Sequence, residues 1–83
     1  MFQVKLTNKA EKDLKRLDKR YLSKISQSID FLKINPLLGE KMTGDFLGAY
    51  RVKIPPIRII YTPNFKDKTI LIKAIGHRQG IYK

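Results

Sequence analysis

The hydrophobic period changes once along this chain, and that change limits the folds open to it. Between Ala10 and Leu32 the apolar residues recur every three or four positions: Ala10, Leu14, Leu17 and Tyr21, then Leu22, Ile25, Ile29 and Leu32. That spacing lays an apolar stripe along one side of a helix. From Gly48 the period is two. Tyr50, Val52 and Ile54 alternate with Arg51 and Lys53, and Ile57, Ile59 and Tyr61 alternate with Arg58, Ile60 and Thr62. Alternation of this kind marks strands with two unlike faces.

Local signals set the boundaries. Phe2, Val4 and Leu6 alternate with Gln3, Lys5 and Thr7, which predicts a short first strand. Thr7 is placed to cap the helix that follows, because its hydroxyl accepts from a free N–H of the first turn. The two helical stripes change over near Asp18–Tyr21. Asn35-Pro36 ends the second helix, since the residue before a proline is pushed out of the helical region. Residues 35–47 hold Pro36, Gly39 and Gly44 with little periodicity, and read as a loop pinned by Leu38, Met42 and Phe46. Pro55-Pro56 makes a tight turn, Pro63 to Lys68 another, and Thr69 to Ile75 is a run of strand formers ending at Gly76. The expected architecture is a two-layer α+β domain over residues 1–83. An N-terminal strand and a helical hairpin pack on one face of a mainly antiparallel four-stranded sheet.

Charge then bears on function. The 83 residues carry 18 Lys and Arg against 7 Asp and Glu, a formal net charge of +11. So large an excess on one small domain points to a polyanionic or acidic partner. There is no cysteine and one histidine, so thiolate metal sites are excluded and no metal or other cofactor is expected. No apolar run approaches the roughly 20 residues that span a bilayer. The start, Met1 to Lys5, lacks the apolar centre of a signal peptide. A cytoplasmic protein without membrane contact is the expectation.

If the helices cover the face holding Tyr50, Val52, Ile54, Ile57 and Ile59, the opposite face is left to Arg51, Lys53 and Arg58. Guanidinium and ammonium groups bind phosphate. Tyr50, Tyr61 and Tyr82 are candidates for stacking on bases where exposed, although Tyr50 and Tyr61 share the alternation of the core. The last residues gather His77, Arg78 and Tyr82, side chains suited to proton transfer and to stabilising an oxyanion. Strand parity carried past Lys73 puts His77 on the same face as Lys73. A metal-dependent nuclease needs clustered carboxylates, which this chain lacks. RNA carries its own nucleophile, the 2′-hydroxyl, so histidine, tyrosine and arginine suffice for its cleavage.

The segments Leu32-Lys33-Ile34-Asn35-Pro36, Gly48 to Ile54, Ile57-Arg58-Ile59-Ile60-Tyr61, Ala74-Ile75-Gly76-His77-Arg78 and Ile81-Tyr82 resemble, in order and spacing, the RelE/ParE superfamily of bacterial toxins. The resemblance spans essentially the whole chain. It departs from many relatives at Pro55-Pro56, where they carry Gly-Asp. It implies a helical hairpin on an antiparallel sheet and the toxin of a type II toxin–antitoxin system. RelE-type members are endoribonucleases that cut mRNA, most of them on the ribosome, whereas ParE-type members inhibit DNA gyrase. The resemblance implies Arg51 and Lys53 as the RNA-binding pair. It implies Arg58 and Arg78 as the arginines at the reacting phosphate, with Tyr82 and His77 as acid–base groups. An acidic antitoxin is the implied protein partner, alongside mRNA and the ribosome. Gyrase inhibition, or an inactive nucleic-acid-binding relative, is the alternative.

Overall fold

The computed structural model describes residues 1–77; Arg78 and Tyr82 lie outside the described residues. Strand β1 (Gln3–Leu6) leads into helix α1 (Asn8–Arg16), a single 3-10 turn at Lys19–Tyr21 and helix α2 (Leu22–Ile34). Strands β2 (Glu40–Lys41), β3 (Tyr50–Ile54), β4 (Ile57–Asn64) and β5 (Thr69–His77) follow. They form one sheet in the order β1-β5-β4-β3-β2, with β1 parallel to β5 and the other pairs antiparallel.

The expected boundaries follow from the expected causes. Thr7 caps α1, its hydroxyl accepting from the Ala10 N–H at 3.1 Å. At the change of stripe Asp18 caps the 3-10 turn through the Arg20 N–H at 3.0 Å. Helix α2 ends at Asn35, before Pro36. Ala10, Ile25 and Leu32 of the helices meet Ile57, Ile59, Tyr61, Ile70, Ile72 and Ile75 of the sheet in one core. Removing a side chain such as Ile59 from water is worth about 1.5–3 kcal/mol, so this face carries most of the favourable energy of folding.

Two features differ from the sequence reading. The sheet has five strands rather than four, because Glu40 and Lys41 of the supposed loop pair with Arg51 and Tyr50. Of the three residues expected to pin that loop, Met42 is buried, whereas Leu38 and Phe46 remain exposed. The pin is instead the fully buried Tyr61. Its hydroxyl donates to the Pro36 carbonyl at 2.8 Å and accepts from the Gly39 N–H at 2.9 Å. Its ring stacks on Tyr50, centroids 5.7 Å apart. Gly39 is required there, because a Cβ would come within 2.8 Å of both the Arg51 carbonyl and the Tyr61 hydroxyl.

The second difference is a register slip in β5. Ile60 pairs with Ala74 but Tyr61 pairs with Ile72, so Lys73 is an extra residue with no partner across the ladder. Side chains of the α1 region take up the irregular backbone. Thr7 Oγ1 donates to the Lys73 carbonyl at 3.1 Å, and the Asp13 carboxylate accepts from the Ile75 N–H at 3.1 Å. A bulge re-aims every side chain beyond it, so Ile75 turns into the helix-side core.

Tyr61→Phe removes the pin and leaves the ring. With the Pro36 carbonyl and the Gly39 amide deprived of their partner, we expect a loss of about 1–3 kcal/mol in urea unfolding. A variant as stable as the wild type would mean that the hydroxyl does not hold residues 36–39.

Candidate nucleic-acid interface

Three of the expected site residues come together on the face of the sheet turned away from the helices. Lys53 lies directly across from Arg58, which lies across from Gly76. One row on, Glu40, Arg51, Ile60 and Ala74 stand side by side across four strands. Strand alternation alone puts Arg51, Lys53 and Arg58 on this side, because their neighbours Val52, Ile54, Ile57 and Ile59 belong to the core. Lys53, Pro55, Pro56, Ile57 and Arg58 line a depression of about 280 Å³ at the sheet's end. Like charges opposite one another in a ladder repel, so Lys53 beside Arg58 is an arrangement that an anion relieves.

Glu40 supplies such an anion, and the sequence reading missed it. Its Oε2 accepts from Arg51 Nη2 at 3.2 Å, and its Oε1 lies 3.3 Å from Lys53 Nζ. The hydrogen bonds from Arg51 and Lys53, with the charge of the lysine behind them, hold the Glu40 carboxyl below the usual glutamate value. Nothing local in the sequence marks Glu40. It reaches the pair because β2 is set beside β3, with Tyr61 fixing Gly39 at its start.

His77 is not part of this cluster. Beyond the slip at Lys73 it pairs with the buried Ile57, and its ring meets Tyr21 edge-on, centroids 6.3 Å apart. It lines a separate cavity of about 250 Å³ with Lys9, Asp13, Arg16 and Asp18 of the helical layer. The parity expected past Lys73 fails because the extra residue inverts it, and His77 stands on the far side of the sheet from Arg58. Tyr61 and Tyr50 belong to the packing. Burial pushes the Tyr61 phenol above its usual value, partly offset by the Gly39 N–H. No group of His, Asp and Glu among the described residues is arranged to hold a metal ion. No helix among them is long and apolar enough to cross a membrane.

A two-layer domain with a cationic sheet face that no described helix covers is the class defined by this fold. The sequence profile of the ParE toxin of type II toxin–antitoxin systems matches residues 4–82. A putative toxin RelE1 from Methanocaldococcus jannaschii is 36% identical over 86 residues, covering 99% of this chain and 96% of its own. Among solved structures, the archaeal RelE–RelB complex from Pyrococcus horikoshii superposes with a TM-score of 0.75 at 29% identity, over 95% of this chain and 97% of the other. The RelBE2 complex from Mycobacterium tuberculosis gives 0.84 at 24% identity over 93% and 98%, and isolated E. coli RelE gives 0.83 at 14% over 93% and 84%. The chain therefore belongs to the RelE/ParE family of type II toxin–antitoxin toxins, and its fold is theirs.

Glu40 gives the site a measurable signature. Because its folded-state pKa is depressed, its ion pairs stabilise the fold at neutral pH, and that contribution disappears as the pH falls through the depressed value. In a carbon-13 NMR titration the Glu40 carboxyl should titrate below an ordinary glutamate, and Arg51→Ala should move its midpoint upward. A midpoint indifferent to Arg51 would show that the two do not interact in solution.

Proposed function

We propose that this toxin is a metal-independent endoribonuclease that cleaves mRNA, with the outer sheet face as its RNA surface. The observation that carries the reading is the clustering of Arg51, Lys53 and Arg58 on the face that neither described helix covers. Arg51 and Lys53 hold the RNA backbone. Arg58 faces the scissile phosphate, where a half-buried guanidinium stabilises the charge that builds up on the phosphorane. Arg78, next in sequence after His77, is assigned to the same phosphate on the strength of the family resemblance. The 2′-hydroxyl attacks the adjacent phosphorus, the bond to the 5′-oxygen breaks, and that oxygen leaves with a proton. The products are a 2′,3′-cyclic phosphate, or its opened form, and a 5′-hydroxyl.

The proton transfers need an acceptor and a donor at that face. Glu40 is tied to Arg51 and Lys53 and its carboxyl is held below the usual glutamate value, so it is a weak base, and the 2′-hydroxyl proton is assigned to solvent water. Tyr82 is the proposed donor to the leaving oxygen. His77 was an acid–base candidate on sequence, but its contact with Tyr21 favours a packing role.

Two partners accompany this reading. Cleavage on the ribosome is the family habit that a +11 domain suits, since the ribosome is itself polyanionic. An acidic antitoxin is the partner that neutralises it, as the RelE–RelB complex of the P. horikoshii relative suggests. The matching profile is that of the ParE toxins, which favours gyrase inhibition as the second reading.

The test is primer extension on mRNA in a cell-free translation mixture, with ribosome-free RNA and EDTA controls. Wild-type protein should cut translated mRNA and leave 5′-hydroxyl ends. Arg58→Ala should lose about 10²–10³-fold in rate, whereas His77→Ala should stay within a few-fold of the wild type. Ends carrying a 5′-phosphate would overturn the mechanism. Intact RNA throughout, with folded protein, would transfer the assignment to gyrase, read by a supercoiling assay.

A further inference from the structure

We propose that Arg51 and Lys53 form a single phosphodiester-binding site that the free protein fills with its own Glu40 carboxylate, which the RNA backbone must displace in order to bind. The proposal rests on the reading of the outer face as an RNA surface. It adds what occupies that surface before RNA arrives.

The geometry is that of a substitute ligand. The two carboxylate oxygens are divided between the cations, Oε2 to Arg51 Nη2 at 3.2 Å and Oε1 to Lys53 Nζ at 3.3 Å. A phosphodiester offers the same pattern, one negative charge shared by two non-bridging oxygens. A ligand that replaces Glu40 one for one is therefore a backbone phosphate rather than a neutral base.

The surroundings allow the exchange. Glu40 sits in a two-residue edge strand, and its side chain is 57% exposed, so rotation about its own bonds releases the cations. The backbone need not move, because Gly39 is held by the Tyr61 hydroxyl at 2.9 Å and leaves no room for displacement towards Arg51. The carboxylate consequently returns when the phosphate leaves. It also neutralises Lys53, the residue that stands across the ladder from Arg58. An isolated anion gains little by replacing one ion pair with another. A nucleic acid gains more, because its next phosphate is brought to Arg58 at the same time.

Fluorescence anisotropy with a labelled, fully 2′-O-methylated RNA oligonucleotide measures the effect without cleavage. Glu40→Gln in the full chain should bind about three- to tenfold more tightly than wild type at low salt. Glu40→Ala should do the same, which excludes a special effect of the amide. Glu11→Gln, which removes an equal charge from α1, should stay within about twofold. Arg51→Ala should bind more weakly than wild type. Circular dichroism checks that each variant is folded. If Arg51→Ala weakens binding but the Glu40 variants bind no tighter than wild type, the displacement is wrong and the RNA surface stands. If Glu11→Gln tightens binding as much as Glu40→Gln, the effect is bulk charge and the proposal fails. If no variant binds the oligonucleotide, both the proposal and the RNA surface fall.

Discussion

Both described helices lie on one face of the sheet, and the rest of this structure depends on that asymmetry. The chain spends Ala10, Ile25 and Leu32 on the helix-side core together with the inward residues of β4 and β5. No helix among the described residues covers the other side. There the packing is a small cluster of Met42, Ala49, Ile60 and Ala74. The helices bury nothing else on that face, so the alternate residues of β3 and β4 can be cations. Among the described residues, the open face is thus a consequence of both helices lying on the same side of the sheet. The cationic side chains are what makes it useful.

A cationic face of this kind has a problem of its own in the free protein, because Lys53 and Arg58 are directly opposed. The solution begins on the other side of the sheet. Tyr61 is buried in the helix-side core, and its hydroxyl reaches the Pro36 carbonyl and the Gly39 amide beside β3. That pair of hydrogen bonds turns residues that would otherwise wander into an edge strand. Glu40 is carried with them to a fixed place next to Arg51. An exposed ion pair normally loses much of its worth to the entropy of holding two long side chains together. Here the backbone of one partner is already positioned by a buried tyrosine.

The slip at Lys73 divides the molecule's polar chemistry. Before it, β5 alternates as its sequence suggests, with Ile70 and Ile72 in the core. After it, Ile75 points inward, Gly76 faces Arg58, and His77 turns towards Tyr21. With glycine across from it, Arg58 has open space on its strand-neighbour's side, which a bulkier residue would fill. The histidine serves a separate cavity lined by α1. The slip is affordable because Thr7 and Asp13 satisfy the carbonyl and amide that the irregular ladder exposes.

What the sequence determined by itself was everything that depends on neighbours along the chain. The change of hydrophobic period separated the helices from the strands. Thr7 and Asn35-Pro36 marked helix ends through local capping and local sterics. Alternation placed Arg51, Lys53 and Arg58 opposite the core, and the spaced segments from Leu32 to Tyr82 pointed to the family. What only the tertiary structure decided was what depends on residues far apart meeting. Glu40 becomes a strand residue and a partner of Arg51 and Lys53 because Tyr61, 22 residues from Gly39, reaches across to hold it. His77 leaves the cationic face because a bulge is stabilised by Asp13, 62 residues before Ile75. Periodicity is a property of consecutive residues and cannot register either contact. One extra residue in a ladder inverts every side chain beyond it, and its position is set by which distant donors and acceptors are there to satisfy it.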